Sequence, residues 1–305
     1  MITPIPSLNA MPFTIDATTR LGHVHLTVAD LDRQIAFYRD VLGLKLHWRE
    51  GTTAGLGTDG EDLLRLSLLR GARRVRGTSG LYHFAILLPN RRELARAIAR
   101  LFSLRYTNYP TDHVITKTTY LDDPEGNGIE LYADSPEDGA AAVVNGNYIV
   151  RHANGDPSDG REPLDVEALL SELTPSDRLD APMPEETKIG HVHLHVADVD
   201  QAMHCYHDLL GFDNQGLVRA YRMGMVSAGG YHHHIAFNTW AGVGVPPLPP
   251  DARGLRYFTV MLPSQTALSR MVERVRQAGI ATEQTEEGSL VRDPSCIAVL
   301  LSTFK

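Results

Sequence analysis

The sequence predicts an α+β fold in which four similar units pair to form two tandem domains. Two observations carry this prediction: an opening pattern that recurs at an offset of 168 residues (191 − 23), and a weaker repeat inside each half. Each unit reads as a strand, a helix and then further strands. A unit of this size cannot bury one face of a sheet alone, so the units are expected to pair.

The strong repeat opens each half of the chain. Residues 22–26 read Gly-His-Val-His-Leu, and residues 190–194 repeat this pattern letter for letter. The agreement continues without a gap through an Ala-Asp pair, a tyrosine (Tyr38 and Tyr206) and a Leu-Gly pair. A repeat of this length at a constant offset indicates duplication.

The weaker repeat marks the second unit of each half. Residues 80–89, GLYHFAILLP, are echoed by residues 254–263, GLRYFTVMLP, and a helical pattern follows each of them. An Asp-Pro pair at residues 123–124, and again at residues 293–294, then introduces a final apolar strand. Both halves are therefore predicted to contain two units.

Local signals place the elements of the first unit. Residues 22–28 alternate and are rich in strand-forming residues, Asp30 can cap the following helix, and Gly43 stands where that helix would end. Segments 63–69 and 81–88 read as further strands.

The predicted domain organisation follows from these repeats. Residues 1–19 form an N-terminal tail, and residues 20–135 form a first domain that holds the metal site. Residues 136–187, with clusters of Pro, Gly, Asp and Glu, read as an ordered linker with a short helix over residues 164–173. Residues 188–305 form a second domain in which the site has degenerated.

Composition narrows the function classes. The formal net charge is −8 and no dense Lys/Arg run is present, which argues against nucleic acid or an anionic membrane as the main partner. Two cysteines are too few for a disulfide framework or a thiolate metal site. The sequence shows no signal-peptide pattern and no apolar run of membrane-spanning length, so a cytoplasmic location is expected.

Three residues of the first half occupy places that a mononuclear metal site would use. His23 lies on the opening strand of the first unit, His83 on that of the second unit, and Glu130 on the last strand. Two histidines and one carboxylate leave coordination positions open, which suits iron(II) and oxygen chemistry. His25 shares the strand face of His23, as a substitute first ligand or a neighbour of the site.

These features resemble the vicinal oxygen chelate superfamily, which includes glyoxalase I, fosfomycin and bleomycin resistance proteins, and type I extradiol dioxygenases. The resemblance is carried by the duplicated units, the Gly-His opening strands and the closing pattern Asp-Pro-Glu-Gly-Asn-Gly-Ile-Glu at residues 123–130. Residues 111–130 resemble the extradiol signature, except that Thr119 stands where an apolar residue is usual. The chain from Arg20 onward, apart from the linker, is similar to two-domain proteins of the catechol 2,3-dioxygenase kind.

The resemblance implies four βαβββ units in two tandem vicinal oxygen chelate domains with curled mixed sheets. It also implies an iron(II)-dependent extradiol dioxygenase of aromatic catabolism, whose substrates are dioxygen and catechol or a substituted catechol. His23, His83 and Glu130 would hold the iron, Tyr120 would donate a hydrogen bond to a substrate or ring-cleavage oxygen, and His113 would line the pocket. A homo-oligomer is compatible with this family.

The sequence departs from the extradiol pattern at one point. Such enzymes commonly use a further histidine, from the strands of the first unit, as an acid–base group, and only His47 lies between His25 and His83. Two alternatives therefore stay open. One is a glyoxalase-like lyase or isomerase that uses Mn, Ni or Zn and a fourth protein ligand, for which residues 62–69 offer no obvious Glu or His. The other is an aromatic-drug-binding resistance protein, against which the ligand set counts.

The second half keeps only part of the predicted ligand set. His191 matches His23, whereas Tyr257 stands at the position of His83 and Leu300 at that of Glu130. A run of three histidines at residues 232–234, expected on the last strand of the third unit, offers a second and weaker cluster of His191 with His233.

Overall fold

A computed structural model of the chain describes residues 13–304. It confirms the α+β class: short helices accompany two large mixed sheets that are curled but not closed. Residues 1–12 of the predicted tail lie outside the described residues. Among the described residues, no helix is both long enough and apolar enough to cross a membrane.

The first half contains two units of one helix and four strands. The first unit comprises β1 (Arg20–Val28), α1 (Leu31–Ala36), a π-helical turn (Phe37–Leu42), β2 (Lys45–Glu50), β3 (Thr53–Gly57) and β4 (Asp62–Leu68). The second unit comprises β5 (Gly80–Leu87), α2 (Arg91–Ser103), β6 (Tyr109–Asp112), β7 (Thr116–Asp122) and β8 (Gly128–Asp134).

The linker is folded. It contains a 3-10 turn (Pro136–Asp138), β9 (Gly139–Val144), β10 (Asn147–His152), β11 (Pro157–Ser158), β12 (Glu162–Pro163) and α3 (Val166–Leu170). Strands β9 to β11 form a small sheet of their own, and β12 joins the edge of β6. The helix is shorter than the predicted range of residues 164–173.

The second half repeats the two-unit plan. The third unit comprises β13 (Lys188–His195), α4 (Val199–Met203), a π-helical turn (His204–Leu209), β14 (Asp213–Val218), a 3-10 turn (Arg219–Tyr221), β15 (Met223–Ser227) and β16 (Ile235–Asn238). The fourth unit comprises β17 (Gly254–Leu262), α5 (Gln265–Gln277), β18 (Glu283–Thr285), β19 (Gly288–Arg292) and β20 (Ala298–Thr303).

The units pair across the two halves of the chain. The eight-stranded sheet, in the order β18-β19-β20-β17-β1-β4-β3-β2, joins the first unit to the fourth. The nine-stranded sheet, in the order β12-β6-β7-β8-β5-β13-β16-β15-β14, joins the second unit to the third. In each sheet the junction is an antiparallel pair, β1 with β17 and β5 with β13. Each large sheet is therefore built from both halves.

Buried hydrogen bonds hold the two units of each half together. The Tyr38 hydroxyl donates to Asp123 Oδ2 at 2.8 Å, and the Tyr206 hydroxyl donates to Asp293 Oδ2 at 3.0 Å. These aspartates open the repeated Asp-Pro turns, whose backbone N–H groups their other oxygens accept. The repeated tyrosine thus ties two units that contribute to different sheets, and all four units share one continuous hydrophobic core.

The local predictions for the first helix are confirmed. The Asp30 side chain accepts a hydrogen bond from the Arg33 N–H at 3.0 Å, as an N-cap should. Gly43 has φ +92°, the left-handed conformation that a helix C-terminus favours for glycine. The three histidines at residues 232–234 differ from the prediction, because they lie in the bend before β16 rather than on a strand.

We expect His25 to make the fold sensitive to mild acid. Its Nε2 lies 2.7 Å from Ser67 Oγ, and burial, reinforced by Arg256 and Arg65, lowers the pKa of His25 from 6.5 to about 3. Between these values the unfolded chain binds a proton that the folded chain does not, so stability falls as the pH falls below 6.5. The contribution of His25 to this loss is about 2 kcal/mol between pH 7 and pH 5.

The measurement compares urea unfolding of the wild type and a His25→Gln variant at both pH values. The variant should lose about 2 kcal/mol less than the wild type on acidification. Equal losses in the two proteins would show that His25 does not carry this sensitivity.

Candidate metal centre and its cavity

Three buried side chains converge at the junction of the second and third units. Nε2 of His83 and Nε2 of His191 each lie 3.1 Å from Oε2 of Glu130. The two histidine nitrogens lie 3.3 Å from each other. The cluster therefore takes His83 and Glu130 from the first half of the chain and His191 from the second.

Strand pairing positions these side chains. β5 pairs in parallel with β8, so that Ala85 stands opposite Glu130 and His83 opposite Gly128. On its other side β5 pairs with β13, where His193 stands opposite His83. A Cβ at Gly128 would lie 2.3 Å from the carbonyl oxygen of Tyr82, so only glycine lets β8 approach this closely.

The three ligand atoms have the spacing that a metal ion needs. When bonds of about 2.1–2.3 Å meet at right angles, neighbouring ligand atoms lie about 3.0–3.3 Å apart. The observed triangle of 3.1, 3.1 and 3.3 Å matches this spacing on all three edges. Two imidazoles and one carboxylate on one face of an ion leave the opposite positions open, so the residues present fit a divalent metal.

The electrostatics of the cluster favour the protonation states that bind metal. Burial favours the neutral acid of Glu130, but His191 and His83 outweigh it and hold the pKa of this carboxyl well below its ordinary value. Burial lowers the pKa of His83 against the opposing pull of Glu130. An ionised carboxylate beside a neutral imidazole is the pair of forms that coordinates a cation.

His23 does not join this cluster, contrary to the expectation from the sequence. It lies on β1, which pairs with β17 of the fourth unit and not with β5. Its Nε2 lies 3.3 Å from the Tyr257 hydroxyl, and Leu300 holds on β20 the register position that Glu130 holds on β8. The place predicted for His23 is taken by its repeat counterpart His191, because the opening strand beside β5 is β13.

The weaker predicted cluster merges with the main one through His191. The rings of His191 and His233 lie 4.2 Å apart between centroids, and His191, His232 and His233 form a second group whose ligand atoms approach within 4.8 Å. Burial, reinforced by neighbouring histidines, lowers the pKa of His232 to about 3 and that of His233 well below its usual range. Both imidazoles are therefore neutral at neutral pH.

Tyr120 and His113, predicted from the same motif, contact each other. His113 Nδ1 lies 2.6 Å from the carbonyl oxygen of Gly160, an acceptor only, so Nδ1 carries a proton. His113 Nε2 lies 2.8 Å from the Tyr120 hydroxyl. In neutral His113 this nitrogen accepts, and Tyr120 donates to it while its own oxygen can accept from a ligand. Burial raises the pKa of Tyr120 well above its usual range, helped by Glu130, so the phenol keeps its proton.

A hydrogen-bond chain fixes the tautomer of His193. The backbone N–H of Trp240 donates to Asn238 Oδ1 at 2.9 Å, which orients the amide. Asn238 Nδ2 then donates to His193 Nε2 at 2.8 Å, so the ring proton of neutral His193 is on Nδ1. His193 lines the cavity and can offer this Nδ1 proton to a ligand.

The cluster opens into a cavity of about 810 Å³. Aromatic side chains line much of it, including Tyr82, Tyr109, Tyr148 and Trp240. The linker supplies part of the wall through residues 141–143 of β9, Tyr148 of β10 and residues 159–161. A segment read as a connection between domains therefore also shapes the site.

The sequence carries signals for some residues of the site that the prediction of His23, His83 and Glu130 did not include. The Gly-His-Val-His pattern of residues 190–193 equals that of residues 22–25, so His191 was as good a first ligand as His23. The third unit, which supplies His191, also supplies His232 and His233 to the cavity, whereas the first unit offers only His47 between His25 and His83. The wall formed by the linker has no such signal, because its strands are short and β9 to β11 pair only with each other.

Comparisons with known proteins agree with this fold. The family model described as Glyoxalase/Bleomycin resistance protein/Dioxygenase superfamily matches residues 20–131 and 188–294. A catechol-2,3-dioxygenase of Bacillus subtilis (strain 168) is 40% identical over 284 residues, covering 92% of this chain and 96% of the relative. A biphenyl-2,3-diol 1,2-dioxygenase 3 of Rhodococcus globerulus is 31% identical over 127 residues, 39% of this chain and 65% of the relative.

Solved structures share the architecture at low sequence identity. The crystal structure of a Bacillus subtilis protein aligns with a TM-score of 0.63 at 13% identity, covering 95% of this chain and 86% of that chain. Glyoxalase I from Zea mays aligns with a TM-score of 0.55 at 17% identity, covering 93% of this chain and 92% of that chain. At such identities the likeness extends to the fold alone.

Proposed function

The chain belongs to the Glyoxalase/Bleomycin resistance protein/Dioxygenase superfamily, and from this premise we propose that it uses iron(II) to open the ring of catechol or a substituted catechol next to the diol. Its class, an extradiol dioxygenase, follows from the 40% identity to the Bacillus subtilis catechol-2,3-dioxygenase over nearly the whole of both chains. The metal and the substrate are the parts that we propose.

The open three-ligand geometry is the observation that carries the proposal. His83, Glu130 and His191 occupy one face of the ion's position, and the cavity begins at these same residues. A diol and dioxygen both need free coordination positions, and a site closed by four protein ligands would offer fewer. The predicted set of His23, His83 and Glu130 is accordingly replaced in our proposal by His191, His83 and Glu130.

Iron(II) bound there would supply the redox chemistry that lets a vicinal diol react with dioxygen. The protein's own part is binding and proton handling. The cavity holds the aromatic ring beside Tyr82 and Trp240, and the His193 Nδ1–H donates to an oxygen of the bound diol. His233, whose ring lies against that of His191 and which lines the cavity, is the proposed acceptor of the proton released as the diol ionises.

Tyr120 and His113 form a reversible proton relay in this proposal. With His113 neutral, the Tyr120 hydroxyl donates to His113 Nε2 and its oxygen accepts from a ligand. When His113 gains a proton at Nε2, that bond reverses, and the phenol proton turns toward the cavity to be donated. The expected role of Tyr120 as a donor to substrate therefore depends on the protonation of His113.

A glyoxalase-like lyase or isomerase is the second candidate, and one observation favours it. His232 and His233 lie close enough to His191 for one of them to complete a four-ligand site. Such a site would suit Mn, Ni or Zn rather than oxygen chemistry at iron. A role in sequestering aromatic drugs is less well supported, because a binding protein has no use for three buried converging ligands.

The test is anaerobic loading with iron(II), followed by catechol and air, with the absorbance of the yellow ring-fission product followed over time. Glu130→Ala should lower the rate at least about a thousandfold, since the carboxylate both holds and neutralises the ion. The proteins loaded with Mn, Ni or Zn serve as metal controls. If iron binds and several catechols give no product, while a metal-loaded form isomerises a glyoxalase substrate, the second candidate replaces the first.

A further inference from the structure

A second cavity lies beside the eight-stranded sheet, where residues of β17 and β20 meet the loop of residues 248–252 and the start of β5. Its volume is about 350 Å³, and its lining includes Arg256 of β17 and Ala298 of β20. Their repeat counterparts are Tyr82 (256 − 174) and Gly128 (298 − 170), which line the main cavity. The two cavities thus share these repeat positions, whereas His23, Tyr257 and Leu300, the counterparts of the metal-cluster residues, do not line the second cavity.

The lining of the second cavity is positively charged, whereas the chain as a whole is negatively charged. Two arginines, Arg256 and Arg292, line it, and no aspartate or glutamate is among the lining residues. Within the described residues, Arg292 donates to the carbonyl oxygen of Cys296 at 3.1 Å, and neither arginine pairs with a carboxylate. Two exposed arginines without a carboxylate partner line one small cavity in a chain of net charge −8, which suits an anionic ligand.

The remaining walls indicate an organic rather than an inorganic anion. Leu248, Pro249 and Leu255 form an apolar side, and Ser67 in the lining already bonds to His25 at 2.7 Å. Inorganic phosphate would leave this apolar surface without a partner. A ligand with one charged end and a compact apolar body would use both sides of the cavity.

We propose that this cavity binds a small organic carboxylate. Its carboxylate group is held by Arg256 and Arg292, and its apolar body lies against Leu248, Pro249 and Leu255. The site is separate from the metal centre and independent of the reaction proposed for it.

Cys296 provides a direct probe of occupancy. It lines the cavity and is exposed, whereas Cys205 is buried. The rate at which neutral iodoacetamide alkylates Cys296 in the full chain can be followed by mass spectrometry, with benzoate as the test ligand. A ligand that fills the cavity should slow the reaction about tenfold at ten times its dissociation constant.

The proposal is tested by comparing ligands and by comparing variants. Benzoate should protect Cys296, and its neutral analogue benzamide should not. The double variant Arg256→Gln, Arg292→Gln should lose the protection, and Arg276→Gln, an exposed arginine of α5 outside the cavity, should keep it. If phosphate protected Cys296 as well as benzoate does, the proposal of an organic ligand would be wrong. If benzoate neither protected Cys296 nor gave heat in a calorimetric titration, the site itself would be ruled out.

Discussion

Replacing His191 by glutamine is expected to abolish iron binding and to lower ring-cleavage activity at least about a thousandfold, because one of three ligands is lost. The same replacement of His23 is expected to leave iron content and activity close to those of the wild type. The two histidines stand at equivalent positions of the repeat, 168 residues apart (191 − 23). Of these two histidines, only His191 lies beside the Glu130 carboxylate, at 3.1 Å.

The measurement is the iron content after anaerobic loading and dialysis, together with kcat on catechol. Circular dichroism and the unfolding midpoint of both variants show whether either substitution acts through folding. Loss of iron in His23→Gln, with iron retained in His191→Gln, would contradict the sheet pairing on which the proposed centre depends.

Replacing His233 by glutamine should lower kcat about a hundredfold or more while iron remains bound. General acid–base groups contribute about 10²–10⁴-fold to rates, and glutamine keeps much of the volume of histidine without accepting a proton at neutral pH. His234→Gln is the matched control, since His234 bonds to the Ala228 N–H at 3.1 Å and does not line the cavity. Its activity should stay within about threefold of the wild type, because surface and loop changes away from a site have small effects.

The iron content of His233→Gln also separates the two proposed functions. Retained iron with a low kcat fits a proton acceptor beside an open three-ligand site. A parallel loss of metal and activity would make His233 a fourth ligand and would favour the lyase or isomerase.

Much of the fold could be predicted because its signals are local or repeated. The Gly-His-Val-His strands, the Asp30 cap and the glycine at residue 43 each specify short-range structure, and the structure has them as expected. The closing motif likewise placed Glu130 on the strand beside His83. Tyr120 lies on β7, and His113 lies in the turn between β6 and β7. Strand pairing sets Tyr109 opposite Tyr120, so the contact between His113 and Tyr120 depends on the reach of the two side chains and does not follow from the pairing.

The first ligand could not be predicted because it depends on a choice between two equal partners. β1 and β13 carry the same five-residue pattern, and either could in principle pair with β5. The pairing of β5 with β13 joins residues about 100 apart in sequence, and the linker between them contacts both halves. The residue pattern within either strand does not indicate which of the two pairs with β5.

The sharing of each sheet between the two halves bears on why, among the described residues, the cluster of His83, Glu130 and His191 lies at one large sheet and has no equivalent at the other. A lone half that dimerised with an identical copy would build both sheets by the same strand pairing, and the dimer would carry two equivalent sites. In a fused chain each half can acquire substitutions independently of the other, so the two sites need not stay equivalent. The other sheet has Tyr257 and Leu300 at the positions of His83 and Glu130, yet it has the same strand arrangement, because backbone pairing and a common core stabilise it. The two sheets thus have similar strand arrangements but different side chains at the ligand positions.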